Sequence, residues 1–226
     1  MNTDKHGLKQ LALVAGIILA AAASAAETNP AKNPAAQILY ENNLEKAEVD
    51  KLPDEFLVQE GNFVVKDLGT NKVLELPGAP LETFGLFFGP TEGSEVSVSA
   101  KMLGTSKGRR FPTFGVGLSG PSGYRLMTAP AKKTLEIYRN DEVQTNVPCE
   151  WKSGEWLNFK LQIRRVKDGE WKVEGKVWEA KEPAAWCVTF DEKTEPIARR
   201  ASAWGSPLSG TPIWFDDFVV SRAAAK

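Results

Sequence analysis

Two runs of strict alternation joined by a tight turn constrain this chain more than any other feature. Between Trp151 and Trp178, Leu157, Phe159, Leu161 and Ile163 alternate with Asn158, Lys160, Gln162 and Arg164. After Lys167-Asp168-Gly169, Trp171, Val173 and Val177 alternate with Lys172, Glu174 and Lys176. Successive side chains of a strand point to opposite faces, so each run has one apolar face and one wet face. Asp168-Gly169 supplies the positive φ that a two-residue hairpin turn needs. The chain therefore lays a long antiparallel hairpin over one side of a core.

The rest follows the same rhythm. From Phe56 onward, turn signals recur about every 8–12 residues, the spacing of a sandwich or barrel. Before the hairpin, strands are expected at Ile38–Tyr40, Phe56–Gln59, Asn62–Asp67, Val73–Leu76, Thr83–Phe88, Glu95–Met102, Thr113–Ser119, Tyr124–Met127, Leu135–Tyr138 and Glu142–Val147. Beyond it they are expected at Trp186–Phe190, Ala201–Trp204 and Ile213–Ser221. Asn43–Lys51 reads as one or two helical turns or as a loop, and is the one helix candidate after the leader. This succession of strands with almost no helix must close into a barrel or stack as two sheets.

The chain begins differently. Lys5 and Lys9 precede the apolar run Leu11–Ala23, which is shorter than the roughly 20 residues of a membrane span. The run ends in Ala23-Ser24-Ala25-Ala26, an A-x-A-like cleavage site. Residues 1–26 are expected to be a signal peptide, 27–36 a mobile polar leader, 37–222 the folded domain and 223–226 a tail. The protein is then exported, to the periplasm, the cell surface or the medium. Removing 26 of 226 residues leaves 200, a length that suits one all-β domain.

Export takes Asp4, Lys5 and Lys9 with it, so 28 basic and 29 acidic residues become 26 and 28, a formal charge of −2. That balance argues against nucleic acid, or an anionic membrane surface after cleavage, as the main partner. The only histidine, His6, also leaves. The mature chain therefore has no Ser-His-Asp or Cys-His machinery and no His-containing zinc site. Its two cysteines, Cys149 and Cys187, either pair as a disulfide, worth roughly 4 kcal/mol in the chain-entropy model, or stay as separate thiols.

Phase also nominates a binding face. Phe114, Val116 and Leu118 point inward, which leaves Gly115 and Gly117 outward as bare positions where a ligand or another backbone can come close. Arg125 and Met127 share that outward phase on the next strand, and Glu136 and Tyr138 on the one after. Ser97 and Ser99 are candidates for the same polar, partly aromatic face, the other reading being an ordinary solvated surface. Trp178 shares the wet phase of Lys172, Glu174 and Lys176, whereas most of the seven tryptophans read as core. Lys107-Gly108-Arg109-Arg110 is a basic turn, either a solvated hairpin tip or a grip for sulfated or uronic sugars. Asp216 and Asp217, with oxygens from Glu41, Asn42 and Asn43, are the candidate ligands for calcium, the one metal considered; no other cofactor is indicated. Alternation would send the two aspartates to opposite faces, and a hydrogen-bonded acid pair is the competing reading.

A Gly-x-Trp entry, an alternating strand, a polar glycine turn, a second alternating strand and a closing Phe215-Asp216-Asp217-Phe218-Val219-Val220 strand resemble the concanavalin A-like superfamily, in its laminin-G-like and glucanase-like branches. The resemblance covers essentially the whole mature chain. It implies an all-β, two-sheet antiparallel jelly-roll sandwich whose first and last strands lie side by side, Ile38–Tyr40 against Phe215–Val220. The glucanase branch carries Glu-x-Asp-x-x-Glu or Glu-x-Asp-x-Glu on a strand. Here Glu48-Val49-Asp50 is followed by Leu52 and Pro53 where the third carboxylate would stand, so no catalytic residue is assigned. The order of elements is also similar to the 3-keto-disaccharide hydrolase family, without an active-site motif. The expected function is a non-catalytic module binding a glycan or polysaccharide through Gly115, Gly117, Arg125, Tyr138 and Trp178. A carboxylate-dependent glycoside hydrolase and a laminin-G-like structural or protein-binding module are the alternatives.

Overall fold

A computed structural model describes residues 36–78, 82–207 and 210–223; the expected signal peptide and nearly all of the expected leader and tail lie outside them. The elements are β1 (Ile38–Asn42), β2 (Leu57–Glu60), β3 (Val64–Leu68), β4 (Asn71–Leu76), β5 (Phe84–Glu92), β6 (Val96–Gly104), β7 (Thr113–Leu118), β8 (Tyr124–Ala129), β9 (Thr134–Arg139), β10 (Glu142–Pro148), β11 (Leu157–Lys167), β12 (Glu170–Trp178), β13 (Val188–Glu192), β14 (Arg199–Ser206) and β15 (Ile213–Arg222). They form two antiparallel sheets stacked as an open jelly-roll sandwich. One sheet has eight strands, ordered β13-β12-β11-β6-β15-β4-β3, with β1 also paired to β15. The other has seven, ordered β10-β9-β8-β7-β14-β5-β2.

The hairpin forms as its pattern requires. Asn158 opposes Trp178, Gln162 opposes Glu174 and Lys167 opposes Glu170, leaving Asp168-Gly169 as the turn. Gly169 has φ of 71°, a conformation costly for a residue with a Cβ. Phe159, Leu161, Ile163, Trp171 and Val173 are buried. They meet the inner face of the second sheet: Phe114 stacks edge-on to Phe159 with ring centroids 5.7 Å apart. A Cβ on Gly175 would lie 2.5 Å from Leu126 Cδ1, so the sheets approach closely where β12 faces β8. Phe88 and Phe218, centroids 5.0 Å apart and both fully buried, close the other side of the core. Truncating such a phenylalanine to alanine costs about 3–5 kcal/mol, because lost transfer energy and a cavity add.

The first and last strands pair, with Tyr40 opposite Val220 and Asn42 opposite Phe218. Asn43–Lys51 holds no helix. Leu44 and Asp50 have positive φ, the Leu44 amide donates to Asn42 Oδ1 at 2.7 Å, and the buried Leu44 side chain pins the loop to the core.

The last strand departs from alternation. Asp216 opposes Lys101 and Val219 opposes Ser99, so β15 carries one residue more than β6 across this step. Asp217 takes φ of 50° to absorb it. Phe215 and Phe218 both reach the core. Asp216 opposes Lys101, and the exposed Asp217 pairs with the same Lys101 at 3.2 Å, so the two carboxylates are not sent to opposite faces.

Candidate functional site

Pairing brings four of the nominated residues together on the outer face of the seven-stranded sheet. Gly117 opposes Arg125, and Arg125 opposes Tyr138, making one row across β7, β8 and β9. Gly115, Met127 and Glu136 make the next row. Ser97 and Ser99 lie on β6 in the other sheet and take no part. Trp178 is also on the other sheet, at the end of β12, half-buried, with the Lys176 ammonium 6.0 Å from its ring centroid.

The outward glycines do not present a bare surface. Space for a Cβ on Gly115 is taken by the backbone carbonyl of Leu126 on the neighbouring strand. A Cβ on Gly117 would stand 2.5 Å from Ser202 Oγ and 3.0 Å from Trp204 Nε1, and one on Gly85 would stand 2.6 Å from Trp204 Cζ3. Glycine on β5 and β7 therefore gives the Trp204 indole of β14 a shallow bed on the outside of the sheet. Its Nε1 donates to Ser202 Oγ at 2.8 Å, and Phe87 packs edge-on to it at 6.2 Å. Trp204 is only 4% exposed although it lies outside the central core.

This corrects the reading of the tryptophans. Of the seven, Trp171 and Trp204 are buried, and only Trp171 belongs to the buried core cluster; Trp151, Trp156, Trp178, Trp186 and Trp214 are half-buried. Trp204 carried a signal in the sequence: it shares the phase of Ser202 and alternates with Ala201 and Ala203. Recognising its bed required knowing that Gly85 and Gly117 flank it.

Arg125 lies over this platform. Its guanidinium carbon is 4.8 Å from the Trp204 ring centroid and 5.7 Å from that of Tyr138. One terminal nitrogen pairs with Asp141, while Nε, buried, has no hydrogen-bond partner among the described residues. Asp141 comes from the β9–β10 turn, where Asn140 and Asp141 both take positive φ. That two-residue turn geometry suits Asn and Asp; the aspartate's reach to Arg125 carried no signal in the sequence.

Behind Tyr138, Glu136 is 2% exposed. It accepts from the Tyr138 hydroxyl at 2.5 Å, Thr134 Oγ1 at 2.9 Å and Lys132 Nζ at 3.2 Å. Burial alone would raise the Glu136 pKa, but these donors outweigh it and hold the carboxyl below its usual range. Burial and the Glu136 hydrogen bond both push the Tyr138 phenol up. Arg125, Met127, Tyr138 and Asp141, with Thr113 and Ser206 at one end, line a groove of about 240 Å³.

Other features are separate from this groove. Asp216 accepts from Asn71 at 2.8 Å and from the Asp217 amide at 2.7 Å, and its pKa is raised, chiefly by burial. Asp217 pairs with Lys101 at 3.2 Å. Glu41, Asn42, Asn43 and Asp217 do share a cavity of about 660 Å³, where Asn42 is bonded to Glu55 at 2.6 Å. Among the described residues, no three His, Cys, Asp or Glu side chains are grouped as a metal site. Lys107 and Arg110 bridge the base of a fully exposed hairpin tip. Cys149 and Cys187 are free thiols at the ends of β10 and β13, edge strands that lie against each other.

No protein-family model and no curated protein sequence matches the chain. Solved structures do resemble it. A Bacillus subtilis protein of unknown function with a galectin-like fold superposes with a TM-score of 0.59 at 12% identity, over 84% of this chain and 98% of that one. The carbohydrate recognition domain of Emp46p, in its metal-free form, gives 0.56 at 10% identity, over 83% and 97%. The alginate lyase Aly36B, a double mutant in complex with an alginate trisaccharide, gives 0.53 at 10% identity, over 83% and 99%. At these identities the likeness establishes a shared two-sheet sandwich.

Proposed function

We propose that the chain is an exported carbohydrate-binding module that takes a sugar in the groove on the outer face of its seven-stranded sheet. The observation that carries this reading is Arg125. It is 9% exposed, held against the faces of Tyr138 and Trp204, and lines a groove of about 240 Å³ with one terminal nitrogen paired to Asp141. A sugar offers hydroxyl acceptors around a partly apolar ring, and a fixed donor beside an aromatic face meets both demands. The coarse likeness to a carbohydrate recognition domain and to a lyase with a bound trisaccharide supports the same reading.

Binding is favoured over hydrolysis by how the local carboxylates are engaged. A glycosidase needs one carboxyl to give a proton and another to attack or activate water. Glu136 is sequestered by three donors and held ionised, and Asp141 is paired with Arg125. The test is a glycan array with the mature chain, run with and without calcium, repeated with Tyr138→Ala. Retained sugar binding with affinity reduced by about 1–2 kcal/mol is expected when an aromatic anchor is truncated. Wild-type affinity in a folded Tyr138→Ala protein would remove the groove from consideration.

A further inference from the structure

Resting on the glycan reading, we infer that the groove selects uncharged sugars and discriminates against uronic or sulfated ones. The charges around it already cancel. Arg125 is matched by Asp141, and Glu136 by Lys132, so two cations face two anions. An incoming carboxylate could grip both Arg125 terminal nitrogens only by displacing Asp141 from one of them, and it brings a further negative charge beside Asp141 and Glu136. Asp141 is 82% exposed in its side chain, so it can swing aside, but it stays at the rim within a screening length of about 8 Å. Glu136, buried beneath Tyr138, cannot move away at all.

A hydroxyl encounters no such exchange. It brings no charge to set against Asp141 or Glu136 and leaves the Asp141 pair intact. At the far end the lining is also hydroxyl-bearing and neutral: Thr113, and Ser206 bonded to Thr83 at 2.7 Å. The exposed basic side chains that would suit an acidic sugar, Lys107, Arg109 and Arg110, lie on the hairpin tip and do not line the groove.

The experiment compares neutral oligosaccharides (gluco-, galacto- and manno-oligomers) with oligouronates of matched length, titrated into the mature protein at physiological salt. Wild-type protein should bind at least one neutral series about tenfold or more tightly than any oligouronate, since like charges at an interface are costly. Asp141→Asn, at an exposed position that should not disturb folding, should raise oligouronate affinity severalfold and shrink that gap. Tyr138→Ala reports whether the binding measured is in the groove. Oligouronates bound through the groove as tightly as neutral sugars, or an Asp141→Asn variant whose preference is unchanged, would overturn the selectivity while leaving the glycan reading in place. Binding of neither series would overturn both.

Discussion

Replacing Gly117 with alanine tests whether Trp204 really lies on the sheet. The new Cβ would stand 2.5 Å from Ser202 Oγ and 3.0 Å from Trp204 Nε1, both closer than unstrained contacts allow. The Ser202 hydroxyl must then leave the indole N–H it accepts at 2.8 Å, in a place where both residues are buried. Overpacking of this kind costs about 1–3 kcal/mol, and an orphaned buried donor about 1–3 kcal/mol. The two overlap, since relieving the clash is what breaks the bond, so a total near 2–4 kcal/mol is expected. In a domain of this size that lowers Tm by about 5–15 °C. Urea titrations of Gly117→Ala, Ser202→Ala and the double variant would form a cycle. Removing Oγ takes away the closest clash, so the double variant should lose less than the sum, with coupling of about 1 kcal/mol. A Gly117→Ala protein within about 0.5 kcal/mol of wild type, with additive single losses, would mean the indole is not where the argument puts it.

Four further outcomes follow from the same contacts. Tyr138→Phe keeps the ring but removes a donor to buried Glu136, so it should lower stability by about 1–2 kcal/mol at neutral pH, read from urea midpoints, while retaining most sugar affinity. Glu192 behaves as an acid-sensitive strut: burial would raise its pKa, but the Tyr124 hydroxyl, backbone amides and Arg139 hold it lowered. Its stabilisation is present above about pH 4.3 and lost as pH falls through the depressed folded value, so Glu192→Gln should flatten the acid limb of a stability–pH curve. Asp216 has the opposite sign, because its folded pKa is raised and its charged form is the disfavoured one; Asp216→Asn should leave stability at pH 7 equal or higher by thermal melt. If Cys149 and Cys187 pair under oxidising conditions, unreduced material should show two fewer alkylatable thiols and a higher Tm than reduced material.

The architecture was legible because it rests on period two. The β11–β12 register and the grouping of Gly117, Arg125 and Tyr138 follow from which way a side chain points, whereas the β1–β15 pairing was implied by the resemblance to the concanavalin A-like superfamily. What alternation cannot report is how deeply an outward side chain lies. Glu174 and Lys176 sit on the outward phase of β12 yet are buried, because Gln162 and Arg164 bond Glu174, while Lys176 reaches Glu182 and the Pro183 carbonyl in the segment after the strand. Assigning Ser97 and Ser99 to the binding face failed for a different reason. Phase fixes a side within a strand, but not which of two sheets the strand joins. The Asp216–Asp217 step misled because one extra residue resets the alternation, and only the cross-strand partner reveals it.

The same physics explains why Trp178 and Tyr138, equally outward by phase, differ as anchors. Around Trp178 the charges are spent on one another: Lys176 is gripped by Glu182 at 2.8 Å and lies 4.6 Å from the Trp186 ring centroid, and Lys160 reaches the same glutamate at 3.1 Å. The segment following β12 folds back to make those contacts, so Lys176 and Lys160 fasten it to its own sheet beside Trp178. Around Tyr138 the chain folds back less. Trp204 fills the glycine bed, Arg125 covers it, and Asp141 supplies one partner to a guanidinium with five donors, leaving Nε unmet. The Trp178 side thus spends its cations on its own chain, whereas the Tyr138 side leaves an arginine with a single ion pair beside a groove of about 240 Å³.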